Sequence, residues 1–174
     1  YLLTTTLRRD GSSKFAAGNR WGWFPSAAIA WKISNESFLK DNDVINNLKL
    51  RLGWGKVGNQ NVENYAYTST MSTVATIWGT DILSGNTANP DLQWETTSSS
   101  NLGFDISLFR NRIEFIADVY YKKTDNLLLQ LPLPAYVGTV GQGSTSAPWA
   151  NIGSLENKGI EFTLNTVNID KKDF

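Results

Sequence analysis

Residues 102–121, LGFDISLFRNRIEFIADVYY, decide the fold class of this chain. Apolar side chains occupy every second position up to a tight turn at 109–111, and the alternation then resumes. The apolar set is Leu102, Phe104, Ile106, Leu108, Ile113, Phe115, Ala117, Val119 and Tyr121. Because successive side chains of a strand point to opposite faces, the pattern predicts a β-hairpin with one charge-free face and one charged face. Such a sheet packs either on a protein core or on the hydrocarbon of a bilayer.

Composition excludes several classes of function. The chain has 174 residues, enough for one domain, and 16 basic residues balance 16 acidic ones, which argues against a nucleic-acid partner. It contains neither cysteine nor histidine, so no thiolate or imidazole metal site and no Ser-His-Asp triad is expected in it. We expect no cofactor and no enzymatic activity. No apolar run reaches the length of a transmembrane helix, no signal peptide opens the chain, and we expect both ends to belong to something longer.

The alternation extends to the rest of the chain and predicts an all-β fold, an antiparallel up-and-down meander of about six strands. The predicted strands cover about residues 1–8, 21–33, 48–54, 92–108, 112–130 and 159–167. Pro25 predicts a bulge or an open edge in the second strand, since proline donates no ladder hydrogen bond. Ser34, Asn35 and Ser37 precede 38–40 and are predicted to cap a single helical turn.

The predicted connections are uneven in length. Long polar connections follow the first, third and fifth strands, including 59–91 and 131–150, and they all fall at one end of an antiparallel sheet. The other end carries shorter connections. Outer-membrane barrels have this asymmetry, and about nine to eleven tilted residues suffice to cross a bilayer. The fourth and fifth predicted strands exceed that length, which favours a barrel wall over a soluble sandwich.

Three short motifs receive plain structural interpretations. Residues 53–58, GWGKVG, match a dinucleotide fingerprint, but a loop sequence follows where a helix is required, so we interpret them as glycines at a strand end. The Asp41-Asn42-Asp43 cluster lacks the other ligands of a calcium loop and is interpreted as a solvated turn. Glu114 and Asp118 share a face with basic residues and are interpreted as members of cross-strand ion pairs.

Aromatic residues supply the candidate binding site. Tyr65, Tyr67, Trp78 and Trp149 lie in predicted loops, where they either stack on a substrate or fill small clusters within the loops. A second aromatic set lies near strand ends, as in the interfacial girdles of a barrel. That set is Trp21, Trp23, Trp31, Trp54, Trp94, Tyr120 and Tyr121.

A series of short segments resembles one family. They are RRDGSSKF (8–15), NRWGWFPS (19–26), LKLR (48–51), GNQ (58–60), NPDLQWE (89–95), KKTDNLL (122–128), NIG (151–153) and NKGIE (157–161). In this order, they resemble the carboxy-terminal part of the barrel in SusC/RagA-type TonB-linked outer-membrane transporters. The resemblance spans almost the whole chain and identifies residues 1–174 as a partial barrel domain.

The resemblance implies a 22-stranded barrel in the outer membrane, closed by an amino-terminal plug that this chain lacks. It further implies import of glycans or peptides, powered through TonB by way of the missing amino-terminal region and capped by a SusD-type surface lipoprotein. It also implies that the apolar face contacts the lipid bilayer, which would then be a partner of the chain. Lipid-facing residues would be Leu102, Phe104, Ile106, Ile113, Phe115, Val119, Ile160, Phe162 and Leu164, and lumen-facing ones Lys49, Arg51, Asp105, Glu114 and Asp118.

The main alternative from sequence is a soluble β-sandwich that binds carbohydrate through the loop aromatics. The two hypotheses differ in what the gene is expected to encode upstream of residue 1. A transporter requires a signal peptide, a plug and further strands there, whereas a short reading frame that starts near Tyr1 would favour the sandwich.

Overall fold

The computed structural model describes residues 1–39, 42–134, 136 and 145–168. Six long strands form one antiparallel sheet in the order β1-β2-β3-β6-β7-β10. They are β1 (Leu2–Gly11), β2 (Trp21–Lys32), β3 (Ile45–Asn59), β6 (Glu95–Leu108), β7 (Ile113–Asp125) and β10 (Ser154–Thr166). The predicted six-stranded antiparallel meander is confirmed.

Two small hairpin-like ladders lie in the connections between these strands. β4 (Met71–Thr76) pairs with β5 (Gly79–Ser84) between β3 and β6, and β8 (Leu128–Gln130) pairs with β9 (Trp149–Asn151) between β7 and β10. One 3₁₀ turn covers Ile33–Asn35. Within the described ranges, no helix is long and apolar enough to cross a bilayer.

The long connections share one end of the sheet, as the sequence predicts. Residues 12–20, 60–94 and 126–153 connect strands at this end, which we call the loop end, and parts of the last connection (135 and 137–144) lie outside the described residues. At the opposite end, residues 33–44 join β2 to β3 and a four-residue turn joins β6 to β7. Phe109, Arg110 and Asn111 all adopt positive φ in that turn, and the Asn46 side chain accepts hydrogen bonds from the Arg110 and Asn111 amides.

The strand predicted at residues 48–54 is shorter than the observed strand β3, which covers Ile45–Asn59. The glycines of the GWGKVG segment do not end it, because β3 continues through them to Asn59 and stays paired with β6. Side chains of neighbouring strands cover two of these glycines, with the Asn101 amide over Gly53 and the Phe24 ring over Gly58. Gaps that would weaken an isolated strand are therefore filled by its neighbours.

The other boundary errors have local causes. The predicted strand 112–130 breaks at Asn126, which adopts φ 59° and separates β7 from β8. The predicted strand 92–108 begins only at Glu95, because residues 92–94 turn into the loop end. β10 begins at Ser154, five residues before the prediction, and the loop predicted at 59–91 contains the β4–β5 hairpin.

The prediction for Pro25 is confirmed, whereas the position predicted for the helical turn is wrong. Pro25 pairs with Leu7 of β1, whereas the ladder with β3 starts only at Ser26, so the proline does lie at an open edge. The predicted helical turn is displaced, since the 3₁₀ turn starts at Ile33 and has no side-chain cap. Lys40, Asp41 and residues 171–174 lie outside the described residues.

The register gives the sheet two chemically distinct faces. One row of aliphatic side chains crosses all six strands: Leu3, Ile29, Leu52, Leu102, Val119 and Ile160. These six side chains are 42–72% exposed, so no second protein layer of the described structure covers them. The observation disfavours the sandwich alternative. We call the face of the sheet that carries the aliphatic row the apolar face, and the opposite face the polar face.

The buried core lies at the loop end and not on the apolar face. It consists of Phe15, Phe24, Val62, Ala66, Leu92, Trp94 and Leu128, with Trp149 packed against it. We call this set the loop cluster. Trp94, predicted as a girdle residue, is only 8% exposed and belongs to it, and Tyr120 lies on the polar face beside Asn101 and Gly159. Both girdle assignments are therefore wrong, and the other five have no such conflict.

Candidate functional site

The polar face carries a charge cluster at its centre. Arg51 of β3 donates to both carboxylate oxygens of Asp105 at 2.7–3.1 Å and to both of Asp118 at 3.1 Å. In the register, Gly103 of β6 lies between Arg51 and Asp118. A Cβ on Gly103 would lie 2.5 Å from the guanidinium carbon and 2.5 Å from an Asp118 oxygen. The glycine therefore provides the space in which the ion pair crosses β6.

A hollow of about 500 Å³ opens on the polar face beside this cluster. Tyr120 lies over Gly159 and forms part of the lining, together with Asn101, Lys122 and Glu161. Glu161 stands directly opposite Asp118 in the ladder. Within the described residues, Glu161 has no ion-pair or hydrogen-bond partner. An aromatic surface beside amide, ammonium and free carboxylate groups can bind a polar ligand or a polar protein segment.

The loop cluster holds the loop end together from three different connections. Trp94 contacts the rings of Phe15 and Phe24, each with a centroid separation of 5.4 Å. Its indole nitrogen donates to the Arg20 carbonyl at 3.1 Å, and Lys14 Nζ donates to the Val62 carbonyl at 2.7 Å. These contacts hold the first two long connections, residues 12–20 and 60–94, against each other at the loop end.

Three polar side chains attach the third connection. Glu95 accepts from Asn59 Nδ2 with one oxygen and from the Leu128 amide with the other, both at 3.0 Å. Asn151 bonds both the amide and the carbonyl of Gln93, each at 2.9 Å. Asn89 Nδ2 donates to the Trp149 carbonyl at 2.8 Å. Residues 89, 95 and 151 belong to the segments that carry the sequence resemblance, and their contacts show a structural task for them.

The structure separates the four candidate loop aromatics. Trp78 is 91% exposed at the tip of the β4–β5 hairpin, and Tyr65 is 62% exposed. Tyr67 is half-buried. Trp149 is half-buried against the loop cluster, and its indole nitrogen is buried with no hydrogen-bond partner among the described residues. Of the alternatives weighed in the sequence, Trp149 therefore has the contacts of a cluster residue, while Trp78 and Tyr65 face solvent.

The β4–β5 hairpin is the feature that sequence reasoning missed. Its tip and sides expose Met71 (75%), Ile77 (90%) and Ile82 (68%) beside Trp78. The Asn86 side chain accepts from the Thr70 amide at 2.6 Å and from the Thr70 hydroxyl at 2.9 Å, which fixes the base of the hairpin. The sequence carries only a weak signal for it, a glycine at position 79 between two short segments that contain β-branched residues, and in the structure Gly79 adopts φ 130°.

The remaining candidate groups are accounted for by local contacts. The predicted cross-strand ion pair is confirmed for Asp118, which is bound to Arg51. It is wrong for Glu114, which accepts from Asn165 Nδ2 at 3.0 Å and forms no ion pair with a described residue. Asn42 accepts from the amides of Val44 and Ile45, as expected of a turn. In the part of the chain that the structure describes, no group of three potential metal ligands converges.

The sequence of the chain matches one family of known proteins. The family profile described as "TonB dependent receptor-like, beta-barrel" matches residues 1–170. The chain belongs to this family. It is a segment of a TonB-dependent receptor barrel, as the resemblance implies.

Individual relatives agree with the family assignment. TonB-dependent receptor P3 of Formosa agariphila is 42% identical over this entire chain, which covers 17% of that receptor. TonB-dependent receptor SusC of Bacteroides thetaiotaomicron is also 42% identical over the entire chain, which covers 18% of it. The chain therefore spans about a sixth of the length of these curated relatives.

Solved structures contain a sheet with a similar fold. The RagAB peptide importer in its "closed-closed" state matches 98% of this chain with a TM-score of 0.87 and 28% identity, and the match covers 18% of that chain. In the "open-open" state of the same importer the TM-score is 0.82. The six-stranded sheet of the TonB-dependent receptor segment is thus similar to a part of the longer RagAB chain.

Proposed function

We propose that this chain forms a wall segment and three extracellular loops of an importer in the outer membrane of a Gram-negative bacterium. The observation that carries the proposal is the uncovered aliphatic row across all six strands, in a chain of the TonB-dependent receptor barrel family. Barrels of this kind expose an apolar band to lipid and carry longer loops on the extracellular side. The loop end then faces the exterior.

The apolar face contacts the bilayer in this proposal. On β7 and β10, residues Phe115 and Phe162 stack with ring centroids 5.9 Å apart, and Ile160 and Leu164 are more than 60% exposed. Side chains so exposed to water would be unfavourable, whereas contact with lipid tails removes that apolar area from water. Trp54 and Tyr121 lie in one register row at the loop-end side of this band, as interfacial aromatics do.

In this proposal, the polar face lines the lumen, which holds the plug and through which the substrate passes. The charge cluster of Arg51, Asp105 and Asp118 stiffens this wall, and the adjacent hollow offers Tyr120 and the unpaired Glu161 to whatever occupies the lumen. The charged side chains at this site contact water or protein, so they avoid the free-energy cost of placing a charge in lipid. Energy for import would come through TonB, which acts on a plug outside this chain.

The cargo that we propose is a glycan or a peptide, captured with a SusD-type surface lipoprotein. Likeness to SusC and to the RagAB peptide importer supports this class of cargo and this kind of partner. Among the loop aromatics, we propose Tyr65, Tyr67 and Trp78 as substrate-facing residues. Trp149 would support them through the loop cluster, on which it packs.

A growth experiment tests the import proposal. A strain that lacks the full-length gene is grown on single glycans and on peptide mixtures as sole nutrient, and we expect it to lose growth on at least one of them. Restoration with the wild-type gene identifies the cargo class. Growth of the deletion strain equal to wild type on every substrate would contradict the proposal.

The same assay tests the hairpin tip. Trp78→Ala is expected to weaken uptake several-fold at limiting substrate, since an aromatic contact contributes about 0.5–1.5 kcal/mol beyond its buried area. Trp21→Ala is the matched control, because Trp21 is also exposed (58%) but projects from the apolar face. Equal uptake by both variants would exclude Trp78 from the substrate path.

A further inference from the structure

A groove crosses β2, β3, β6 and β7 on the apolar face, and the wall function alone does not explain it. It has a volume of about 450 Å³. The small side chains of Ala27 and Ser100 leave it open, and Trp54 and Tyr121 stand on either side of Ser100 in the same register row. Leu52, Leu102 and Val119 continue it toward the middle of the apolar band. The lining of the groove is mostly apolar, as contact with an acyl chain requires.

Basic side chains surround the loop-end side of this groove. Lys56 follows Trp54 by two residues on the same face, and its register partner on β6 is Ser98, which in turn pairs with Lys123. Lys158 is the register partner of Tyr121. Lys56 and Lys123 thus lie one row closer to the loop end than Trp54 and Tyr121, and Lys158 lies level with them, at the depth where lipid headgroups begin.

Acidic residues at the same level neutralise only some of these charges. Lys123 is paired with Asp125 at 3.2 Å, and Glu156 faces the Tyr121 hydroxyl. Lys56 and Lys158 form no ion pair with any residue that the structure describes. Three lysines and two carboxylates leave an excess positive charge, and the hydroxyl groups of Ser98 and Ser100 lie between Lys56 and the β7 side chains.

We propose that this groove is a binding site for one phosphorylated lipid of the outer leaflet. An acyl chain occupies the groove between Trp54 and Tyr121, and the phosphate of the headgroup is bound by Lys56, with Ser98 and Ser100 as hydrogen-bond donors. The occupant is a lipid because the groove opens on the face that we assign to the bilayer, so the inference rests on the proposed function. The charge excess selects an anionic headgroup over a zwitterionic one.

Native mass spectrometry of the full-length receptor in detergent tests the proposal, with lipid A as the probe and phosphatidylcholine as the zwitterionic comparison. We expect wild type to bind lipid A in a saturable manner. Lys56→Gln should weaken binding about fivefold, the effect of one lysine beside an anionic headgroup. Ser100→Trp fills the groove and should abolish binding. Lys49→Gln is the matched control, because Lys49 lies on the polar face of the same strand, and it should bind as wild type does.

Unchanged lipid A binding in both Lys56→Gln and Ser100→Trp would overturn the proposal, as would equal binding of phosphatidylcholine by wild type. Retention of the heat-sensitive gel migration of a folded barrel shows that each variant is folded. Failure of the proposed function is seen separately, because a receptor that does not fractionate with the outer membrane contradicts the membrane assignment whatever it binds in detergent.

Discussion

At the scale of single residues, the polar face depends on a glycine whose role becomes visible only in the register. Nothing in the sequence around Gly103 links it to Arg51 or Asp118, which are 52 positions before it and 15 after it. The ladder brings the three residues into one row, where the ion pair occupies the space above Gly103. Arg51 and Asp118 are expected on the lumen side from the sequence, but the contact between them needs the pairing of three strands.

Gly103→Ala is predicted to destabilise the barrel by about 1–3 kcal/mol, since the new methyl group forces the Arg51 and Asp118 side chains apart in a packed site. The measurement is the urea midpoint for unfolding of the full-length receptor in liposomes, followed by gel migration. Gly18→Ala is the control, because a Cβ at Gly18 would meet no atom within 4 Å. Equal midpoints for the two variants would show that the ion pair does not need this space.

At the scale of elements, alternation in the sequence predicts the long strands because one face is uniformly apolar. The β4–β5 hairpin and the break after β7 escape prediction for a physical reason, since both depend on single backbone conformations, at Gly79 and at Asn126. The loop cluster escapes as well. Its members lie in three connections and, for Phe24, in β2, and their side chains meet only after the strands have brought those segments together.

The face assignment of β7 gives a second prediction. Phe115→Arg in the full-length protein is expected to impair barrel assembly, because a charge at the bilayer midplane costs about 2–4 kcal/mol. Glu114→Gln should be tolerated, since Glu114 lies on the other face and contacts Asn165. The measurement is the yield of folded receptor in outer membranes, and equal yields would count against the assignment.

The loop cluster gives a third prediction. Leu92 is fully buried, so Leu92→Ala should cost about 2–5 kcal/mol of packing at the loop end. We expect faster trypsin cleavage of the extracellular loops on intact cells, at Lys14 or Arg20, with barrel insertion unchanged. Val44→Ala, at the exposed opposite end of the sheet, is the control. Cleavage at the wild-type rate would indicate that the loops do not depend on this cluster.

At the scale of the whole molecule, the chain combines three parts: an apolar face, a polar face and a loop end that the loop cluster holds together. The sequence predicts the two faces, whereas the substrate-facing set remains a proposal for Tyr65, Tyr67 and Trp78. Under the proposed function, the three parts would share one setting, with lipid outside, lumen inside and cargo at the loops, in a chain of the TonB-dependent receptor barrel family. This setting requires that residues alternate between lipid and water along each long strand.

Fluorophore quenching along β10 tests that requirement most directly. Single cysteines at Glu161, Phe162, Thr163 and Leu164, in a cysteine-free full-length receptor, are labelled and reconstituted with brominated phospholipid. We predict that the labels at 162 and 164 are quenched by the brominated lipid and that those at 161 and 163 are quenched instead by aqueous iodide. Equal quenching of all four labels by either agent, or the reverse alternation, would contradict the assignment of the apolar face to the bilayer.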